Sequence, residues 1–235
     1  MKTPVFFIGE KLSAVTRQWL QKQHVQYIEQ PFFRIEYKKP NLSFFSTMTN
    51  TRKQWVITSV YAAHWLIRFH SQIGLGESDR LYCWSEKEAG ILKDLNLPIS
   101  ISSYSNISDL AENVISQNQG DSVLFLRGDK LHSEITSVFS VFPLQYSEIE
   151  VYKNTPIEKF VSGIFDAYLF FSPSSIENFK ASGNFTNQTS LILANENSTA
   201  RAAWRVFDNK VYLSPEQEEL SFVQDSIARW KKENI

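Results

Sequence analysis

Hydroxyl side chains recur at one kind of place in this chain, where an apolar run ends and a helix-period segment begins. Thr58-Ser59 follows Trp55-Val-Ile57, Ser85 follows Leu81-Tyr-Cys-Trp84, Ser172-Pro-Ser174 follows Tyr168-Leu-Phe-Phe171, and Ser198-Thr199 opens a further helical stretch. Any one of them reads as a plain cap, its oxygen accepting from an orphan N–H of the first turn. Repetition at matching places points to more. In open parallel sheets, ligands bind outside the carboxyl ends of the strands, where exposed N–H groups and hydroxyls at helix N-termini hold anions. Arg127 and Gly128, in Leu124-Phe-Leu-Arg-Gly-Asp129, fall at the same level, with Arg127 facing either a ligand or Asp129. Such a set can grip a polyanion without many lysines.

Other chemistry is poorly supplied. The four histidines (His24, His64, His70, His132) are scattered, and one cysteine completes no metal-ligand pattern. Gly74-Leu-Gly76 follows a helical segment rather than a strand, which fails the context that a dinucleotide fingerprint needs. There is no P-loop lysine pattern and no nucleophile elbow.

The elements that must position these hydroxyls alternate between short apolar strands and helix-period segments, the pattern of parallel βαβ units. Strands are expected near 4–8, 25–29, 55–59, 80–84, 99–103, 122–126, 144–146, 167–171, 190–194 and 210–213. Helices are expected near 11–23, 61–71, 87–95, 107–117, 130–140, 157–162, 174–181, 198–206 and 215–231. Ser85-Glu-Lys-Glu88 and Ser174-Ser-Ile-Glu177 have the capping-box pattern. Ser214-Pro-Glu-Gln217 has proline at the first helical position.

A duplication orders these pieces. Trp55–Leu66 reappears in outline as Tyr168–Phe179, offset by roughly 110 residues; Leu81–Leu92 answers to Ser190–Trp204, and Ile101–Ile115 to Val211–Ile227. The fourth pair is permuted, with Val123–Leu131 matching Val5–Leu12. The expectation is an α/β fold of two similar lobes, each a parallel sheet flanked by helices. One lobe takes residues 1–33 with 154–235, and the other takes 36–150. Residues 32–37 and 148–153 then cross between them as connectors that pair in a two-stranded hinge. Such a clamp would hold its ligand between the lobes. The polar stretch 38–52 shows no periodicity and is expected at the surface.

Composition sets the bounds. The 235 residues are 43% hydrophobic and include 18 Phe, enough for two packed cores. A formal net charge of −1 argues against a nucleic-acid surface. The start of the chain has too short an apolar run for a signal peptide, and no stretch approaches the roughly 20 apolar residues that span a bilayer. A cytoplasmic protein without membrane or nucleic-acid partners is expected. Cys83 lies within an apolar strand and reads as a core thiol.

In order and spacing, five blocks together resemble the uroporphyrinogen-III synthase family: Val56-Ile-Thr-Ser59, Leu124-Phe-Leu-Arg-Gly-Asp129, Val151-Tyr-Lys-Asn-Thr155, Phe171-Ser-Pro-Ser174 and Ser198-Thr-Ala-Arg201. The resemblance covers most of the chain except 38–52, and it implies flavodoxin-like lobes. This chain differs in carrying Glu88 where the family has Thr, Glu196 where it has Gly, and Ile8-Gly-Glu10 where it has Thr-Arg. The implied substrate is hydroxymethylbilane, a linear tetrapyrrole octacarboxylate, handled by a monomer with no cofactor and no metal. Loss of its terminal hydroxyl as water gives an azafulvene; ring D is attacked at its substituted carbon to form a spiro intermediate and closes inverted. The resemblance assigns Tyr152 as the catalytic donor, and Thr58, Ser59, Arg127, Gly128, Ser172, Ser174, Ser198 and Thr199 to substrate binding. A non-catalytic two-lobe module of the same descent, binding a tetrapyrrole or another anion, is the alternative reading. A bilobal solute receptor is weakened by the lack of an export signal.

Overall fold

In a sheet covered on both faces every strand residue is buried, so its strands read as unbroken apolar runs. The central strands of this protein do so. In the computed structural model, which describes residues 4–48, 51–129, 133–141 and 144–234, contacts divide the chain into two units. The segments up to Arg34 and from Thr155 form one unit, and Ile35–Asn154 the other.

The first unit contains β1 (Val5–Ile8), α1 (Ala14–Lys22) and β2 (Gln26–Glu29) from the start of the chain. It is completed by β10 (Ala167–Phe170), α7 (Pro173–Ala181), β11 (Leu191–Ala194), α8 (Asn197–Val206), β12 (Val211–Leu213) and α9 (Glu219–Asn234). Its sheet runs β12-β11-β10-β1-β2 and is parallel throughout, with Phe6 opposite Ala167. Phe6, Ile8, Leu169 and Leu193 pack on one face with Leu20, Phe222 and Ile227. Phe7, Tyr168, Phe170 and Ile192 pack on the other with Phe179 and Phe207. The alternation follows from the period of two in a strand.

The second unit contains α2 (Leu42–Ser46), β4 (Lys53–Ile57), α3 (Val60–Phe69), β5 (Arg80–Cys83), α4 (Glu86–Leu92), β6 (Ser100–Ser103) and α5 (Ile107–Ser116). β7 (Ser122–Arg127), α6 (Ser133–Val141) and β8 (Tyr146–Glu150) follow. Its sheet order, β6-β5-β4-β7-β8, is again all parallel. Matching the two orders sets β1 against β7 and β10 against β4. The first unit's opening strand is thus supplied from the other end of the sequence. Trp55, Ile57, Leu81, Leu124 and Leu126 pack with Trp65 and Phe69. Val56, Tyr82, Val123 and Phe125 pack with Leu110 and Phe139 on the opposite face.

A separate two-stranded sheet pairs β3 (Phe33–Tyr37) with β9 (Tyr152–Pro156). The Lys38 N–H donates to the Val151 carbonyl at one end, and the Ile157 N–H to the Phe32 carbonyl at the other, so the strands run antiparallel.

Several local expectations need correction. Glu148–Glu150 belong to β8, so the second connecting strand is Tyr152–Pro156 and not 148–153. Residues 157–162 form no helix. Within 38–52 the chain forms α2, because Phe45 is buried and stacks on Trp55 at 5.9 Å. The α7 cap is Ser172, two residues before the expected Ser174, which puts Pro173 in the first turn. Ser214 caps no helix: its hydroxyl accepts from the Glu216 N–H and donates to Asp225, and α9 starts at Glu219. Residues 49–50, Lys130–His132 and 142–143 lie outside the described residues.

Asp79 anchors the start of the second sheet. Its buried carboxylate accepts from the Lys53 N–H at 2.8 Å, the Trp55 Nε1–H at 3.2 Å and the Gly76 N–H at 3.2 Å, and lies 3.4 Å from the buried Lys53 ammonium. Asp79→Ala leaves that ammonium buried and unpaired, a loss that typically costs about 3–5 kcal/mol. Urea denaturation should show a destabilisation of that order; a change within error would contradict the anchoring role.

Candidate functional site

From β4 the second unit's chain moves outward through β5 and β6, then returns to β7 on the other side of β4. The strand order therefore reverses between β4 and β7, and ligands of open α/β sheets bind outside the carboxyl ends at such a point. Here β4 runs out into Thr58 and Ser59, and β7 ends at Arg127, followed by Gly128. Ser59 caps α3, its hydroxyl oxygen accepting from the Tyr61 N–H at 3.2 Å. The Tyr152 phenol donates to the same oxygen at 3.0 Å. The Tyr152 ring lies against Gly128 and meets Tyr61 edge-on at 5.4 Å. The buried Thr58 hydroxyl, next in sequence to Ser59, has no hydrogen-bond partner among the described residues.

Burial raises the Tyr152 pKa above the ordinary phenol value; the hydrogen bond with Ser59 opposes the shift, and the Asp129 charge adds to it. The phenol therefore stays protonated at neutral pH and keeps its donor. Arg127 is already engaged. Its Nε donates to Glu148 at 2.7 Å and its Nη1 to the Gly128 carbonyl at 2.8 Å, with Glu150 at 3.8 Å. Asp129 accepts from the Asn154 N–H at 3.0 Å.

The next helix N-terminus along this edge is filled by the chain itself. Ser85 caps α4 and donates to the buried Glu88 carboxylate, while Ser103 donates to Glu86. The Cys83 thiol is pushed up to about 12, first by burial and then by Glu88 and Glu86, which leaves no thiolate at neutral pH.

In the first unit the strand order reverses between β1 and β10. β10 leads through Phe171 to Ser172, whose hydroxyl accepts from the Ser175 N–H at 3.3 Å and lies 2.9 Å from the Ser175 hydroxyl. Ser174 sits in the first turn of α7. On the adjacent strand, Glu196 precedes α8 and accepts from Ser198 at 2.6 Å and from Thr199 at 3.4 Å. The two hydroxyls are thus taken by a neighbouring carboxylate. The buried Asn195 Oδ1 has no partner among the described residues. Glu219 fills the end of α1, accepting from the Ser13 N–H at 2.9 Å, the Ser13 hydroxyl at 2.6 Å and the Thr16 hydroxyl.

Thr58, Ser59, Arg127, Gly128 and Tyr152 thus meet at one strand-order reversal. Ser172 and Ser174 stand at the other, with Ser198 and Thr199 one strand away. Sequence reasoning missed Tyr61, Asn195 and Glu219, because no local pattern separates them from core, loop and surface positions. Among the described residues no group of three or more His, Cys, Asp or Glu is placed to hold a metal. Among them too, no helix is long and apolar enough to cross a membrane.

The HEM4 family model, described as uroporphyrinogen-III synthase HemD, matches residues 14–221. The chain belongs to the uroporphyrinogen-III synthase family. Enzymes of this family are hydro-lyases of haem biosynthesis that close hydroxymethylbilane to uroporphyrinogen III with ring D inverted. Among solved structures, uroporphyrinogen-III synthetase from Helicobacter pylori superposes with a TM-score of 0.68 at 13% identity, covering 97% of this chain and 100% of that one. A variant of uroporphyrinogen-III synthase from Thermus thermophilus gives 0.65 at 16% identity, covering 99% and 100%. At such identities the likeness is one of fold. No curated protein matches the chain significantly.

One carboxyl at the first unit's reversal stands apart in its titration. Burial pushes Glu10 up from 4.5 to about 7; the Lys11 backbone N–H opposes this, and the Glu219 charge adds to it. The folded protein therefore holds this proton more tightly than the unfolded chain. Stability is full below about pH 4.5 and falls as pH rises to about 7. Glu10→Gln keeps a neutral side chain at every pH. Its melting temperature should exceed the parent's at pH 8 and converge with it near pH 4.5; parallel curves over that range would refute the shift.

Proposed function

We propose that Tyr152 assists departure of the substrate's terminal hydroxyl, and that hydroxyls and N–H groups at the two strand-order reversals hold substrate carboxylates. The carrying observation is the Tyr152 phenol at 3.0 Å from Ser59, at the end of β4 where an α/β sheet takes its ligand. A protonated phenol there can donate to an oxygen that gains charge as its C–O bond breaks. The leaving oxygen takes the phenol's proton and both C–O bond electrons and departs as water, while the lone pair of the pyrrole nitrogen moves in to form the exocyclic C=C bond, giving the protonated azafulvene. Ring D attacks through its substituted carbon, and the spiro intermediate reopens and closes inverted. The carbon that completes the macrocycle sheds the proton that restores the phenol. Because burial raises the Tyr152 pKa, the group acts as a persistent donor more than as a strong acid.

The rest of the rate comes from holding a flexible chain in its reactive fold. Thr58, Ser59, Ser172 and Ser174 are the donors best placed for carboxylates, and Thr58 brings a buried hydroxyl with no partner among the described residues. Ser198 and Thr199 must first release Glu196, and Arg127 must share its charge with Glu148. Gly128 contributes at the same turn. No step of this scheme calls for a cofactor. One chain carries both sets of donors, so the reading is that of a monomer. A water-soluble octacarboxylate substrate fits a cytoplasmic enzyme without a nucleic-acid partner.

Tyr152→Phe keeps the ring and deletes the donor. Loss of one hydrogen bond should cost about 0.5–1.5 kcal/mol of stability. The cyclisation rate should fall at least about tenfold, a floor below the usual range for general-acid assistance. A folded Tyr152→Phe protein that forms uroporphyrinogen III at the parent rate would reduce Tyr152 to a brace between strands.

A further inference from the structure

The turn after β7 contains a glycine that its backbone does not require. Gly128 is absent from the residues with positive φ, which among glycines are Gly74, Gly120, Gly163 and Gly183. What the position lacks is room. A Cβ at Gly128 would lie 2.7 Å from Cε2 and Cζ of Tyr152 and 2.9 Å from its hydroxyl oxygen. Carbon contacts are optimal near 3.5–4.0 Å, so an added methyl group displaces something.

The ring has little freedom to yield. Tyr152 is buried and meets Tyr61 edge-on at 5.4 Å. Its backbone is tied on both sides to the turn that carries Gly128, by the Val151 N–H to the Arg127 carbonyl at 2.9 Å and the Asn154 N–H to Asp129 at 3.0 Å. The Lys38 N–H to the Val151 carbonyl adds a third tie. With the main chain fixed, the movement left to the ring is rotation of the side chain, which carries the phenol away from Ser59.

We propose that Gly128 is a positioning residue: its bare Cα seats the Tyr152 ring so that the phenol reaches Ser59 and the departing hydroxyl. The proposal rests on the reading of Tyr152 as the donor. The corresponding glycine of the first unit, Gly9, seats the Phe170 ring, where a Cβ would come within 2.9 Å. That ring carries no hydroxyl, so the same seat serves packing in one copy and donor placement in the other.

A double-mutant cycle tests the proposal, with uroporphyrinogen III formation measured for the parent, G128A, Y152F and G128A/Y152F. Displacing a donor worth about tenfold should cost a similar factor in kcat, with KM little changed. In the Y152F background there is no phenol to misplace, and G128A should cost less than about twofold. Equal losses in both backgrounds, or full activity of G128A beside an impaired Y152F, would overturn the positioning role. Parent activity in Y152F would instead overturn the donor reading. If G128A fails to fold, G128A/Y152A has the space of the missing ring and should fold. Failure of both would show that the methyl group clashes elsewhere and would also overturn the proposal.

Discussion

In each five-stranded sheet every strand runs the same way, so every strand-to-helix turn opens on one edge of the sheet. Helix N-termini collect there, with their unpaired N–H groups and the positive ends of their dipoles. That edge attracts carboxylates, and this protein already places several of its own on it. Glu219 fills the end of α1, Glu88 lies on the cap of α4, and Glu196 holds the first hydroxyls of α8. The ends of α3 and α7 stand beside the two strand-order reversals. Ser59 and Ser172 cap them. Several donors of this edge are therefore already committed within the protein.

The same geometry explains a single aromatic donor. Tyr152 enters from β9, outside the second unit's sheet, and its phenol ends on the oxygen that caps α3. Its ring needs a glycine at the end of β7 and a partner in the first turn of α3, so three elements fix one hydroxyl. Glu10 follows Gly9 at the end of β1 as Asp129 follows Gly128 at the end of β7, and burial pushes its carboxyl up to about 7. Near neutral pH this lightens the negative charge on that edge.

Much of the fold was legible because the sheets are buried on both faces. Runs such as Leu124–Leu126 and Tyr168–Phe170 read as central strands, and their repetition exposed the permuted copy that joins β1 to β10. The capping serines Ser59 and Ser85 were legible from spacing alone. What sequence could not show depended on distant partners. Phe45 makes a helix out of a polar stretch only because Trp55 lies beneath it. Ser214 looked like a cap but is drawn to Asp225. Arg127 was weighed against Asp129, yet Glu148 lies on the neighbouring strand at 2.7 Å. The Tyr152–Ser59 contact spans 93 residues, so Tyr152 was reached through family resemblance and its partner only through the structure.

The proposed work of this edge is the family's ring closure with inversion. Incubating the protein with enzymatically generated hydroxymethylbilane and separating the products by isomer tests it directly. Unassisted closure gives the unrearranged type I isomer. Type III should dominate and scale with protein concentration, whereas type I alone, at the rate seen without protein, would refute inversion by this chain.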